Sequence, residues 1–244
     1  MDSRVPEIRK HLKKKLDAYR YEHTLGVEFT CQALAMRYGY DLDKADLAGL
    51  LHDSAKRFEN PVMLQKCLDR GIPVTAGEER DPSLLHAKLG AWMAENKYGV
   101  DDPEILSAIT CHTTGKPGMS LLDKILYVAD YIEPRRSKAA NLPEMRKLAF
   151  IDLDQACFEI MESILEYLKS TGCQIDPMTE AACQDMRRVV SERKKETAGE
   201  ASAGTGITHQ DKEEQSVESV KRNGKTCSRG FGREKRRRCK NYRH

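Results

Sequence analysis

Apolar residues recur every three or four positions along most of residues 5–192, the spacing that places them on one face of an α-helix. In the second such segment the apolar positions are Leu25, Phe29, Ala33 and Met36, and Gly39 marks its end. No alternation of apolar and polar residues predicts strands, and no internal repeat is found. We therefore predict an all-α fold. The predicted helices span residues 5–18, 21–38, 43–53, 61–71, 83–97, 102–112, 120–132, 152–168 and 177–192.

The composition changes after about Lys195. Residues 196–206 are rich in Ala, Gly, Thr and Ser, and residues 221–244 carry eleven Lys and Arg against one acid, Glu234. Apolar residues are too sparse there to offset chain entropy, so we expect disorder. We predict a folded domain over residues 1–195 and a disordered tail over 196–244. The basic tail has the composition of an RNA- or ribosome-binding arm, and a solvated extension is the alternative.

No apolar run reaches the roughly 18 residues that a membrane-spanning helix needs. Residues 1–6 also lack the apolar core of a secretory signal. We therefore expect a cytoplasmic protein with no membrane partner. The sequence leaves the oligomeric state open, a homodimer included.

Four histidines and two aspartates lie on, or at the ends of, the predicted helices. Imidazole and carboxylate together suit a first-row divalent metal such as iron, manganese or zinc, and we expect one or two ions. Asp53 follows His52 directly and has two carboxylate oxygens, so it could bridge two ions. Asp130 ends an apolar run, where a buried carboxylate needs partners. The predicted metal ligands are His23, His52, Asp53, His86, His112 and Asp130.

Cations follow these ligands closely in the sequence. Lys56 comes three residues after Asp53, Lys116 follows His112 within a glycine-containing loop, and Arg135-Arg136 follow Asp130. Two adjacent metals activate water and stabilise charge on a phosphoryl group, and cations hold further phosphates. Taken alone, each of these cations could be an ordinary surface charge, and a histidine such as His112 could simply stabilise the end of its helix. The ordered series therefore carries the prediction of a phosphohydrolase.

The same residues resemble a known family. Four segments resemble the YqeK group of the HD superfamily of metal-dependent phosphohydrolases. They are the segment around His23, Leu51–Lys56, His112–Ile125 and Tyr127–Arg136. The resemblance covers roughly residues 5–190 and implies an HD-domain helical bundle. It also implies symmetrical hydrolysis of diadenosine tetraphosphate to two ADP, with iron or a similar metal.

The resemblance assigns roles to individual residues. It implies His23, His52, Asp53 and Asp130 as metal ligands, and His86 and His112 as ligands of a second metal or as direct phosphate contacts. The expected catalytic residues are Asp53, Lys56, His86 and His112. The expected substrate contacts are Arg20, Lys56, Thr113, Lys116 and Arg135.

Two alternative functions remain open from the sequence. One is another HD phosphohydrolase that acts on nucleoside mono- or triphosphates or on cyclic nucleotides. The other is a non-catalytic RNA- or ribosome-associated protein that acts through the basic tail.

Overall fold

The computed structural model describes the backbone of residues 2–203 and the side chains of residues 2–197. This part of the chain is helical and contains no strand, as the sequence predicts. Its helices are α1 (Val5–Lys15), α2 (Ala18–Tyr38), α3 (Leu42–Leu51), α4 (Asn60–Asp69), α5 (Ala76–Arg80), α6 (Leu85–Tyr98), α7 (Pro103–Cys111), α8 (Leu121–Ile132), α9 (Leu142–Leu148), α10 (Leu153–Thr171) and α11 (Pro177–Ala203). A short 3-10 helix, Pro82–Leu84, leads directly into α6.

Polar caps set the starts of the central helices. The Asp17 carboxylate accepts a hydrogen bond from the backbone N–H of Arg20 at the start of α2, and Asp41 does the same for Lys44 at the start of α3. Ser120 and Asp123 form a capping box at the start of α8. Gly39 ends α2 in the left-handed conformation that glycine adopts without strain. These local signals fix where the ligand-bearing helices begin and end.

The core is centred on α2, α3 and α8. Helix α2 packs on α3 and α8, and α7 packs on α6 and α8. A Cβ at Gly49 would lie 2.7 Å from Glu28 Cα, so glycine permits the close approach of α3 to α2. Helix α8 is buried on most sides, and its Leu122, Ile125 and Leu126 side chains are fully buried. The apolar core therefore holds in a fixed arrangement the helix ends that carry the polar residues.

Several predicted boundaries were wrong. Helix α1 ends at Lys15 instead of residue 18, and α3 ends at Leu51 instead of Asp53. The short helices α5 and α9 were not predicted, and α11 continues through residues 196–203, where disorder was expected. The first compact unit is Met1–Ser191, and a second begins at Glu192.

Two predictions for the C-terminal tail are not tested by the structure. Residues 204–244 lie outside the described residues, so the expected disorder and the RNA contact stay predictions. Among the described helices, none has the length and apolar character needed to cross a membrane.

Candidate metal centre

The six predicted ligands come together although they are far apart in sequence. His23 lies in the second turn of α2, His52 and His112 are the C-terminal caps of α3 and α7, and His86 lies in the first turn of α6. Asp53 follows α3 directly, and Asp130 lies in the last turn of α8. The four imidazoles and Asp53 are buried, and the side chain of Asp130 is 21% exposed. The site therefore stands where the ends of four helices meet α2.

Hydrogen bonds orient three of the imidazoles in the same way. His52 Nδ1 lies 2.7 Å from the carbonyl oxygen of Gly49, and His112 Nδ1 lies 2.7 Å from that of Ile109. His86 Nδ1 contacts the carbonyl oxygen of Ser83. A carbonyl oxygen only accepts, so each Nδ1 carries the proton and each neutral ring presents its Nε2 lone pair to the site.

The carboxylate of Asp53 lies between two pairs of histidines. Its Oδ1 is 3.4 Å from His86 Nε2 and 3.7 Å from His112 Nε2. Its Oδ2 is 3.5 Å from His52 Nε2 and 3.8 Å from His23 Nε2. Each carboxylate oxygen therefore faces a different pair of imidazoles.

The polar atoms of this cluster fit a cation better than they fit one another. His52 Nε2 is buried without a hydrogen-bond partner among the described residues, and His23 Nε2 lies 3.1 Å from Asp130 Oδ1. His86 Nε2 and His112 Nε2 lie 3.1 Å apart, a repulsive arrangement for two lone pairs unless a cation or a proton lies between them. The donor atoms of His23, His52 and Asp130, and those of His52, Asp53 and His112, each lie within 4.8 Å of one another. These donors fit a first-row divalent metal.

The electrostatics of His52, His86 and Asp53 favour the protonation states that metal ligands need. Burial lowers the pKa of His52, and burial together with Lys56 holds the pKa of His86 well below its usual value. Burial opposes ionisation of Asp53, but His52 and Arg20 outweigh it and hold its pKa well below the usual range. Both imidazoles are therefore neutral and the Asp53 carboxylate is ionised at neutral pH, as coordination requires.

Glu133, which the sequence did not single out, fixes the fourth imidazole. Its buried Oε1 lies 3.1 Å from His23 Nδ1, and its Oε2 accepts a hydrogen bond from the backbone N–H of Arg135. A Cβ at Gly26 would lie 2.5 Å from Glu133 Oε2, so this contact requires glycine at position 26. Burial lowers the pKa of His23, but Asp130 and Glu133 raise it to about 9. Carboxylates behind a ligating histidine orient the ring and make it a stronger donor.

Arg136 performs a similar task for Asp130. Its Nη2 donates to Asp130 Oδ1 at 2.8 Å, and its Nε donates to the backbone carbonyl of Asp130 at 3.0 Å. Burial raises the pKa of Asp130, but Arg136 and His23 hold it well below the usual range. The position of Arg136, six residues after Asp130, was noted from the sequence, but this pairing was not predicted.

The structure divides the five predicted substrate contacts. Arg20 Nη1 donates to Asp53 Oδ2 at 2.7 Å, and Thr113 Oγ1 lies 3.2 Å from His86 Nε2. The charges of Asp53 and Arg20 both act on the pKa of Lys56, so Lys56 lies near them. Arg20, Thr113 and Lys56 therefore adjoin the cluster.

The other two predicted contacts have their own partners. The Arg135 guanidinium pairs with Glu22 and is about half exposed. The Lys116 Nζ lies 2.9 Å from buried Asp123 Oδ2 and donates to Ser107 Oγ, a pair of contacts that joins α7 to α8. The role of Lys116 as a substrate contact stays a prediction.

Comparisons with known proteins place these features in a family context. A family model described as an HD domain matches residues 20–135. The symmetrical bis(5′-nucleosyl)-tetraphosphatase of Bacillus subtilis (strain 168) is 40% identical over 168 residues, which is 69% of this chain and 89% of that protein. A protein of the same name from Staphylococcus aureus (strain NCTC 8325 / PS 47) is 34% identical over 67% of this chain and 84% of its own length.

A solved structure is also similar. The crystal structure of a predicted HD superfamily hydrolase involved in NAD metabolism, from Clostridium acetobutylicum, matches with a TM-score of 0.73 and 36% identity. The match covers 75% of this chain and 96% of that one. The all-α architecture is therefore the one adopted by that HD-superfamily structure.

Proposed function

The chain belongs to the HD-domain family, within the group of symmetrical bis(5′-nucleosyl)-tetraphosphatases, and on that premise we propose that it hydrolyses diadenosine tetraphosphate to two molecules of ADP. The observation that carries this proposal is the convergence of four imidazole Nε2 atoms around the two oxygens of Asp53. The family supplies the substrate and the symmetry of the cut. The geometry supplies a site that can hold a divalent cation beside a phosphate chain.

The cation-binding residues are proposed to be His23, His52, Asp53, His86, His112 and Asp130. His23, His52 and Asp130 form one side of the site, and His86 with His112 form the other, with Asp53 shared between them. A divalent cation bound here would supply a water of lowered pKa and would neutralise phosphate charge. We propose iron as the metal, with manganese and zinc as alternatives, in one or two copies.

The remaining residues of the site act on charge and position. The Arg20 guanidinium holds Asp53 through Oδ2 and keeps that carboxylate ionised. Burial lowers the pKa of Lys56, and its proximity to Asp53 supports our assignment of it to the substrate's phosphate oxygens and to the leaving ADP. Thr113, beside His86, and Arg135, nearer the surface, are proposed as further substrate contacts.

A chromatographic nucleotide panel tests the substrate assignment. The purified, metal-loaded protein is incubated separately with diadenosine tetraphosphate, ATP, AMP and a cyclic nucleotide, and the products are separated. We expect ADP alone, formed from diadenosine tetraphosphate at a rate well above turnover of the other three. Products of AMP plus ATP, or faster turnover of another member of the panel, would reject the substrate in favour of a different HD phosphohydrolase activity.

The basic tail supports a second, separate proposal. Its eleven Lys and Arg residues between positions 221 and 244 suit contact with RNA or the ribosome. Deleting residues 204–244 is expected to leave nucleotide hydrolysis nearly unchanged and to abolish salt-sensitive RNA association. Loss of hydrolysis on deletion would show that the tail belongs to the enzyme. We also propose a cytoplasmic location and a homodimer.

A further inference from the structure

A second polar groove lies away from the metal centre. This groove is open to solvent, has a volume of about 620 Å³ and lies between one face of α1 and the C-terminal end of α6; we call it the α1–α6 groove. Its charged lining comprises Arg4, Lys10, Lys14 and Lys97 against one acid, Glu7. Lys97 comes eleven residues after His86 in α6, so about 16 Å of helix separates the groove from that metal ligand.

Only some of the positive charge in this groove is neutralised by the protein. The Arg4 guanidinium is held by Asp2 at 2.7 to 3.2 Å, and Lys10 lies 3.6 Å from Glu7. Within the described residues Lys14 and Lys97 form no ion pair with a carboxylate. An exposed lysine needs no partner, but Lys14 and Lys97 line the same groove as His11.

His11 and Tyr98 fix the ammonium of Lys97 on the groove wall. Lys97 Nζ donates to His11 Nε2 at 2.9 Å and lies 5.3 Å from the centre of the Tyr98 ring. The His11 ring meets the same tyrosine edge-on, with centroids 5.8 Å apart. The ammonium is therefore positioned by a neutral imidazole and an aromatic ring, neither of which cancels its charge.

The charges that act on His11 and Lys97 are positive. Burial lowers the pKa of His11, and the charged neighbours that lower it further are Lys97, Arg57, Lys15 and Lys14. Burial lowers the pKa of Lys97 as well, with Arg57 and Lys15 as the contributing charges. An anion bound between α1 and α6 would relieve this repulsion, and a multivalent one would relieve more of it.

We propose that the α1–α6 groove binds the phosphate chain of a small oligophosphate, either inorganic or carried by a nucleotide, at a site separate from the metal centre. Lys14 and Lys97 contact the phosphate oxygens, and the His11 imidazole holds the Lys97 ammonium in position. The volume of this open groove lies in the range of roughly 300 to 1,000 Å³ typical of small-molecule sites. The face of α1 from Arg4 to Lys14 is about 15 Å long, which suits a chain of phosphates better than a single one.

Calorimetric titration of the full-length protein with inorganic triphosphate and, separately, with ADP tests this proposal. Both titrations are run with a chelator, so that metal does not hold the phosphates at the other site. The test variant is Lys14→Gln with Lys97→Gln. The matched control is Lys13→Gln with Lys195→Gln, which removes the same charge from exposed positions of α1 and α11 and leaves the basic tail intact. Circular dichroism melts of both variants check that each is folded.

We expect the test variant to bind at least about tenfold more weakly than the control, because two charge-assisted contacts are lost. Equal weakening in both variants, or none in either, would overturn the proposal. Tighter binding of ADP than of triphosphate would identify a nucleotide-borne chain, and equal binding an inorganic one. A third outcome is that a single-stranded oligonucleotide binds more weakly to the test variant than to the control, while triphosphate and ADP bind to neither. That result would assign the groove to nucleic acid and reject the small ligand.

A second measurement reports on the groove directly. The His11 imidazole is titrated by NMR in the unsubstituted protein with and without triphosphate. A bound anion is expected to raise the pKa of His11 by about one unit, since it removes the repulsion from the surrounding cations. An unchanged His11 titration at saturating triphosphate would place the anion elsewhere and reject the site.

Discussion

Replacing Glu133 with glutamine is expected to weaken metal binding without removing any metal ligand. The substitution keeps the size of the side chain and an acceptor for His23 Nδ1, but it removes the negative charge. It also points an amide N–H at the backbone N–H of Arg135, which now donates to Glu133 Oε2 at 2.7 Å. Two donors then face each other in a position that is only 1% exposed. His23 keeps a hydrogen-bond acceptor but loses the carboxylate charge that strengthens it as a ligand.

The magnitude follows from the contacts that are lost. A hydrogen bond to a charged group contributes about 1.5 to 3 kcal/mol, which corresponds to roughly 10- to 100-fold in affinity. Substitutions behind a metal-bound histidine typically cost about the same factor. We therefore expect the metal dissociation constant of Glu133→Gln to rise by about 10- to 100-fold, with a parallel loss of hydrolysis at limiting metal.

Glu22→Gln is the matched control for this prediction. Glu22 adjoins His23 in sequence and pairs with Arg135, but its side chain is 49% exposed. The two variants therefore differ in burial and in contact with His23, not in net charge. Metal affinity is measured by competition with a chromogenic chelator, and Glu22→Gln is expected to stay within about twofold of the unsubstituted protein, because exposed ion pairs contribute little. Equal affinities for the two variants would refute the role of Glu133.

Two further substitutions test other parts of the structure. Burial and the neighbouring Asp46 raise the pKa of Glu28 to about 8. Between about pH 4.5 and 8 the folded protein therefore binds one more proton than the unfolded chain, and its free energy of unfolding falls as the pH rises. The slope is at most about 1.4 kcal/mol per pH unit. Glu28→Gln is expected to flatten this slope in urea unfolding at pH 5 and 8, and an unchanged slope would reject the assignment. Lys116→Met is expected to lower the free energy of unfolding by about 1 to 3 kcal/mol, because it removes the cation beside buried Asp123, and to leave KM for diadenosine tetraphosphate unchanged. A raised KM with normal stability would support Lys116 as a substrate contact.

Helix periodicity predicted the long elements and failed at the short ones. Helix α5 has five residues and begins with a capping box formed by Thr75 and Glu78, a signal that is present in the sequence but lacks an apolar period beside it. Helix α9 has seven residues, too few for the period to be read. The end of α3 was placed two residues late because the sequence does not show that the chain continues after His52 in turns closed by bonds such as Lys56 N–H to Asp53 O.

The sequence identified the six candidate metal ligands but not the residues that orient them. The order of these histidines and aspartates along the chain can be read from the sequence, and the structure brings all six together. Glu133 acts only when the end of α8 lies against α2, a tertiary contact that no local pattern encodes. Arg136 folds back onto Asp130, six residues earlier, and no periodic pattern shows that return. Gly26, three residues after His23, was the available hint for Glu133, because a helix-interior glycine implies a close approach.

The central claim, that Asp53 joins the two sides of a metal site, is tested most directly by elemental analysis of Asp53→Ala. Metal content and hydrolysis of diadenosine tetraphosphate are measured on the same preparation, with Asp185→Ala, which removes a carboxylate remote in sequence from the ligand set, as the control. We predict that Asp53→Ala loses metal and activity together while the control keeps both. Full metal occupancy in folded Asp53→Ala would contradict the account.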